Sequence, residues 1–434
     1  MKARLAFVMS LFFFVMCSDR LLAQPYIPQS DVPAERGFRA VTLLRGLEHP
    51  WGMVWLPDGD ALVTERPGRL QRVQDGRLAS DAIAGIPEVF DSGQGGLLDV
   101  SLHPRFELNR RIFFTYAHGN TIANRARVAT AVLNGNQLRN WQVIFEVAAN
   151  KIGGQHFGSR LLWLPDETLL VSIGDGGNPP VRLEGDWIRK QAQSRRSHLG
   201  KILRLKDDGA VPPDNPFADS ADAQPEIWSY VHRNIQGLAY DPLRSMVWAS
   251  EHGALGGDEL NLILPGRNYG WPTVTFSREY FDGSKISPHT SKPGMVDPVA
   301  VWMTAIAPSG LVVYCGTRFE QWQQAFSVNR PIFWQRRAGQ LTEGRQEIHD
   351  AGDLVIGRAG GNDGRPAHDG GRADATLEVG PLAIAQGAGT AVAFDVELRA
   401  VVGGKNDQGV LGQSELIEGV HQPADLPVDL LDHI

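Results

Sequence analysis

In residues 159–177, SRLLWLPDETLLVSIGDGG, two apolar runs flank a turn containing Pro165, and the second run ends in glycines on either side of Asp175. Proline lacks the N–H that a central strand must donate, so Pro165 marks a turn between strands. Two short apolar runs joined by a proline turn predict a pair of strands in a hairpin. The same unit returns as GMVWLPDGDALVTERPGRLQRV from Gly52, LLDVSLHPRFELNRRIFFTYA from Leu97 and IQGLAYDPLRSMVWASEHG from Ile235, with turn prolines Pro57, Pro104 and Pro242. The repeats lie much further apart than the roughly 8–12 residues between single sandwich strands. That spacing favours four-stranded blades with unequal insertions, an all-β propeller, over a β-sandwich of similar hairpins. The 48 glycines and 27 prolines break the chain too often for many helices. The best helical segment is GDWIRKQAQSRRS, 185–197, where Trp187, Ile188 and Ala192 fall near helical spacing.

The opening MKARLAFVMSLFFFVMCSDRLLAQ places Lys2 and Arg4 before an apolar run from Leu5 to Cys17, with a cleavage candidate ending at Ala23. This predicts a signal peptide, 1–23, then a linker, 24–36. The run is shorter than the roughly 20 residues of a membrane-crossing helix, so a periplasmic or secreted protein with no membrane span is expected. Met16 directly before Cys17 argues against a lipoprotein site. Without the leader, Cys315 is the one remaining cysteine, so stability is expected from the core or a bound metal and not from disulfides. A net charge of -7 offers no cationic face, which disfavours nucleic acid and anionic membrane and leaves small molecules as partners.

The blade pattern covers 37–323. Aromatic residues recur as far as FEQWQ, ending at Gln323, but after Trp334 only Phe394 remains. The segment 324–434, with stretches such as RAGGNDGRPAHDGGRADAT, has little to bury and is expected to be atypical and disordered. A shifted reading frame accounts for this abrupt change better than a low-complexity linker.

Four clusters sit at the ends of these strands. In GGQHFGSRL, His156 precedes a hairpin that returns the chain to Asp175, so the carboxylate can fix one ring nitrogen and leave the other as a base. A turn histidine that satisfies backbone groups is the bland alternative. Arg233 and Asn234, in HRNIQGLAYDP, suit an acidic polar ligand or a loop-end ion pair. Asp258 and Glu259, ending GALGGDE, with the Tyr269 carbonyl, offer hard oxygens for Ca²⁺ or are an ordinary solvated acidic pair in a turn. Gln94, between glycines in DSGQGGLLDV, points into a central channel or simply starts a strand. Strand ends are where a propeller presents side chains to its axial pocket, so the four reinforce one another.

LEHPWGMVWLPDG, GQGGLLDVSLHP, GGQHFGSRL, SHLGKILRL, HRNIQGLAYDP, GGDELNLI, NYGWP and IAPSG, in this order, resemble the PQQ-dependent soluble aldose sugar dehydrogenases of the glucose/sorbosone dehydrogenase family. The resemblance implies a six-bladed β-propeller holding pyrroloquinoline quinone (PQQ) and Ca²⁺. It implies oxidation of an aldose sugar at C1 to a lactone, with electrons passed to an external acceptor, by a monomer or homodimer. It assigns His156 as general base, Asp175 as its orienting carboxylate, and Gln94, Arg233, Asn234 and His252 as PQQ contacts. The carbonyls of Gly253 and Ala254 would hold the cofactor's Ca²⁺, and Glu259 with the Tyr269 carbonyl a second, structural one. A Ca²⁺-dependent propeller lactonase, or a propeller that only binds a sugar or partner, are the rival readings. Ser194, Arg195 and Arg196 depart from the family pattern and are expected at the pocket rim, and Ala305 replaces a hydroxyl residue. No counterpart of the family's last basic PQQ contacts follows Gln323, so an open propeller with weak PQQ binding is expected.

Overall fold

The computed structural model describes residues 42–315 and, beyond them, only the backbone of short strands between 326 and 394. The expected leader 1–23, linker 24–36 and most of the atypical segment 324–434 lie outside the described residues.

The described chain is all-β and propeller-like, with four four-stranded antiparallel sheets in chain order. Blade 1 comprises Pro50–Trp55, Ala61–Glu65, Arg69–Gln74 and Arg77–Leu78. Blade 2 comprises Leu97–Leu102, Arg111–Asn120, Ala123–Asn134 and Gln137–Glu146. Blade 3 comprises Gly158–Trp163, Leu169–Ile173, Lys201–Leu205 and Ile227–Tyr230. Blade 4 comprises Ile235–Asp241, Met246–Glu251, Asp258–Ile263 and Ala300–Trp302. Leu311–Val313 opens a further hairpin with Phe326–Val328. Each turn proline of the sequence repeat, Pro57, Pro104, Pro165 and Pro242, joins the first two strands of its blade.

The second strands sit between neighbouring blades, and Ala61–Glu65 and Leu169–Ile173 are buried at every residue. Leu62, Leu97, Phe114 and Tyr116 form the seam between blades 1 and 2, and Phe113, Phe157, Val171 and Leu203 the next. Leu170, Ile202, Leu238 and Ala249 pack blade 3 on blade 4.

The first strands of successive blades pack side by side and so surround the axis. Each shifts register near its start, at Pro50/Met53, Leu97/Val100, Gly158/Leu161 and Ile235/Gly237. A bulge frees backbone groups that need new partners. In three blades a buried hydroxyl on the second strand supplies them: Thr64 accepts from Gly52 N–H, Thr115 from Asp99 N–H and Ser172 from Arg160 N–H. The same hydroxyls donate to the next blade's first strand, at the carbonyls of Leu98, Ser159 and Ile235. One side chain thereby closes a bulge and staples two blades.

Arg160 gathers the axis. Its guanidinium stacks on Trp51 of blade 1, pairs with Asp99 of blade 2 at 2.9 Å, and donates to the carbonyls of Gln236 and Ser309. Asp99 also accepts from the N–H of Leu161. Gly52 is required beside it, because a Cβ there would stand 2.7 Å from Asp99 Oδ1.

The expected helix at 185–197 is shorter and tighter than the periodicity predicts. Asp186–Trp187 pairs with Arg182–Leu183 as a two-residue hairpin, and a 3₁₀ helix follows over Ile188–Gln193. The buried Lys201 ammonium takes the carbonyls of Gln191, Ala192 and Leu199, which ends the helix.

Asp99→Ala removes the carboxylate that neutralises Arg160 and leaves the Leu161 N–H without its acceptor. A loss of about 3 kcal/mol is expected from breaking a largely buried pair. Urea unfolding should show a lower midpoint at unchanged slope, and a midpoint equal to wild type would contradict this role for the axial pair.

Candidate functional site

The starts of the first strands and the ends of the second strands lie at the same end of the antiparallel blades, and the candidate residues collect there. His156 stands two residues before Gly158–Trp163, and Asp175 two residues after Leu169–Ile173. The hairpin therefore closes them onto each other, with His156 Nδ1 2.6 Å from Asp175 Oδ1. Asp175 is fully buried and collects two more donors, the Gly177 N–H on Oδ1 at 3.0 Å and Trp271 Nε1–H on Oδ2 at 2.7 Å. Its own N–H donates to the Arg233 carbonyl.

The His156 backbone is held as firmly as its ring. Its φ of 48° lies in the left-handed region, and its N–H donates to Gln94 Oε1 at 2.9 Å. The Gln94 N–H in turn donates to the Gly154 carbonyl at 2.6 Å. Two glycines allow this approach, since a Cβ on Gly93 or Gly154 would meet the facing backbone within 2.5 Å. Burial pushes the His156 pKa down to about 4, with the Arg233 charge adding to the shift and Asp175 opposing it. The imidazole is thus neutral at neutral pH. Asp175 fixes the proton on Nδ1, and Nε2 keeps its lone pair, with Asn178 Nδ2 standing 3.5 Å away.

Arg233 is buried beside this pair. Its guanidinium donates to Asn178 Oδ1 at 2.8 Å and to the carbonyls of His252 and Gly253, while Nε has no partner among the described residues. The Arg233 N–H is taken by Glu251, whose other oxygen accepts from His232 Nδ1 at 3.0 Å. Asn234 Oδ1 accepts the Gly158 N–H at 3.0 Å. His252 donates from Nε2 to the Pro308 carbonyl, and burial lowers its pKa.

Arg233, Glu251, Gly253, Glu259, Tyr269 and Trp271 line one adjoining cavity. Burial drives the Glu259 carboxyl pKa well up, and the nearby charge of Glu251 adds to it. A cation in this cavity would relieve both effects. Asp258 faces away and takes the N–H groups of Gly253, Ile306 and Ala307. Ala254 is buried, with its N–H on Ser277 Oγ at 3.0 Å.

A family model described as glucose/sorbosone dehydrogenase matches residues 47–329. The chain belongs to the glucose/sorbosone dehydrogenase family. It is 34% identical over 332 residues to aldose sugar dehydrogenase YliI of Escherichia coli, covering 73% of this chain and 86% of that one. An uncharacterized protein of Synechocystis is 64% identical over 293 residues, covering 66% of this chain and 71% of its relative. The crystal structure of the soluble aldose sugar dehydrogenase of Escherichia coli in its apo-form superposes with a TM-score of 0.63 at 30% identity, over 80% of this chain and 95% of that one. The PQQ-bound aldose sugar dehydrogenase of Streptomyces coelicolor does so with a TM-score of 0.52 at 31% identity, over 69% and 79%.

In this glucose/sorbosone dehydrogenase family member, hydrogen bonds join His156, Asp175, Gln94 and Arg233, and Asn234 holds the neighbouring Gly158 N–H. Arg233, His252, Gly253, Glu259 and Tyr269 line the adjoining cavity, whose lining does not include Ala254. Three residues of the site escaped the sequence reading: Trp271, Asn178 and Glu251. Trp271 lies in the NYGWP motif and Asn178 directly follows GDGG, so their motifs were visible while their bonds across the fold were not. Arg195 and Arg196 are engaged elsewhere than the expected pocket rim, Arg195 over Phe217 and Arg196 paired with Asp222 at the surface.

Trp271→Phe keeps an aromatic ring but strips Asp175 Oδ2 of its donor. The cost of that unpaired buried oxygen is about 1–3 kcal/mol, read as a lower denaturant midpoint. A variant as stable as wild type would contradict the assignment of this bond.

Proposed function

We propose that the chain is an exported quinoprotein that oxidises aldose sugars at C1 to lactones, with His156 as the general base. The observation that carries this reading is the neutral, buried His156 fixed through Nδ1 on Asp175 at 2.6 Å, with Nε2 left basic. In this reading the sugar's C1 hydroxyl gives its proton to Nε2, and Asp175 stabilises the imidazolium that results. Gln94 holds the backbone of the base, and Asn178 links it to Arg233.

The residues present suit both groups implied by the family. Arg233 offers a buried guanidinium whose Nε has no partner among the described residues, next to Asn234, a donor set matched to a ligand rich in carboxylates. Glu259 shares its cavity with the Gly253 carbonyl, which also accepts from Arg233, and with Glu251. These are hard oxygens of the kind Ca²⁺ takes, and a cation there would offset the burial and like charge that raise the Glu259 pKa. When bound, PQQ supplies a two-electron acceptor for the C1 hydride and Ca²⁺ supplies Lewis acidity. Gln94, Arg233, Asn234 and His252 would contact PQQ. The Gly253 and Ala254 carbonyls would hold one Ca²⁺, and Glu259 with Tyr269 another.

The four described blades suit a propeller of the family's six-bladed kind over 37–323, left open beyond Gln323, after a leader, 1–23, that sends the protein to the periplasm or outside the cell. An external acceptor would reoxidise the cofactor, and the protein would act as a monomer or homodimer.

PQQ and Ca²⁺ added to the purified chain should give a saturable absorbance change, and glucose should then bleach an electron-accepting dye. His156→Ala should still bind PQQ but lose about 10²- to 10⁴-fold in kcat. A wild-type chain that binds no PQQ, or a His156→Ala variant that retains full turnover, would overturn the proposal.

A further inference from the structure

Lys151, five residues before the base in NKIGGQHFG, is 4% exposed. Lysine is rarely buried so completely without a task. Its backbone is fixed to the second blade by paired bonds with Asn124, each at 2.9 Å. Its aliphatic stem runs beside the loop that carries Asp175, where a Cβ on Gly176 would stand 3.3 Å from Lys151 Cδ. The ammonium then meets the two flanks of the histidine loop. It donates to the Gly153 carbonyl at 3.2 Å and lies 3.9 Å from the centroid of the Phe157 ring.

Gly153 and Phe157 bracket His156, whose φ of 48° needs support from its surroundings. We propose that Lys151 is a positioning residue for His156: its side chain clamps both flanks of the 153–157 loop and, when protonated, places a positive charge near the His156–Asp175 pair. The role rests on His156 acting as the base, but the electrostatic link between the two side chains is measurable without turnover.

The charges follow from this geometry. One carbonyl and one aromatic face compensate a buried ammonium poorly, and burial draws the Lys151 pKa down to about 7, with Asp175 opposing. The charged and titratable groups that face it are Asp175, from the loop after the second strand of blade 3, and His156 from its own loop; Asn124, on the blade 2 side, is neutral. Lys151 in turn pushes the His156 pKa down. Because His156 protonates near pH 4 and Lys151 releases its proton near pH 7, the ammonium is fully charged wherever the ring titrates. Removing the charge must therefore raise the His156 pKa.

The test is an NMR titration of the cofactor-free, full chain labelled with ¹⁵N-histidine, for wild type, Lys151→Met and Lys151→Arg. Lys151→Met should move the His156 midpoint upward, and Lys151→Arg should hold it near wild type. An unchanged midpoint in Lys151→Met, or equal shifts in both variants, would overturn the proposal, because a purely packing role moves neither midpoint through charge. If Lys151→Met does not fold, the wild-type titration alone decides: the His156 ring signals should show a second, smaller step near pH 7 as Lys151 loses its proton, and no such step would refute the link. On the PQQ-loaded protein, Lys151→Met should lower kcat with little change in KM. Should the loaded wild type fail to oxidise sugar while the NMR shifts appear, the clamp stands and the dehydrogenase reading falls.

Discussion

The buried carboxylate of Asp175 is the constraint around which the pocket is arranged. It accepts three donors from separate parts of the chain: the ring of His156 before the blade 3 hairpin, the Gly177 N–H beyond its own strand, and the Trp271 indole from the excursion of blade 4. Its backbone is tied to Arg233 at the start of blade 4. An unsatisfied carboxylate at this depth would be costly, so each donor has to arrive for the blades to pack. The same bonds leave His156 with one correct tautomer and a basic Nε2. Folding and function thus draw on one set of hydrogen bonds.

The axis explains why the site forms at the strand ends. Bulges at the starts of the four first strands break the ladder, and the exposed groups are taken up by Thr64, Thr115 and Ser172 across the blade seams. Arg160 and Asp99 fill the space between the first strands. With Arg160 and Asp99 between the first strands, the residues just outside the bulges, Gln94, His156, Arg233 and Asn234, gather at one end of the blades, and Arg233 lines the cavity there. Each of them carries a hydrogen bond that reaches a neighbouring blade or its flanking loop.

Much of this was legible in the sequence because it is local. A turn proline between two apolar runs reports a hairpin, and four such hairpins report repeated blades. The pairing of His156 with Asp175 was readable because a single hairpin separates them. What the sequence hid is contact between distant blades. Nothing near Trp271 reveals that its indole ends on Asp175, and nothing near Arg160 reveals that it reaches Trp51, Asp99 and the carbonyl of Ser309. The 185–197 segment misled for a related reason. Its apolar spacing resembles a helix, but Lys201, from the next strand, captures the carbonyls that a longer helix would use.

The central claim is that a neutral imidazole, held on Asp175, is the base. The most direct measurement is the pH dependence of kcat/KM for sugar on the PQQ-loaded protein, which reports the essential base of the free enzyme. Above the His156 pKa the ring is neutral and competent; below it, Nε2 carries a proton and cannot accept another. The account predicts an acid limb centred well below the ordinary histidine value, towards pH 4, with at most a smaller change near pH 7 where Lys151 releases its proton. A limb centred near the ordinary histidine value of 6.5, or no acid limb, would contradict it.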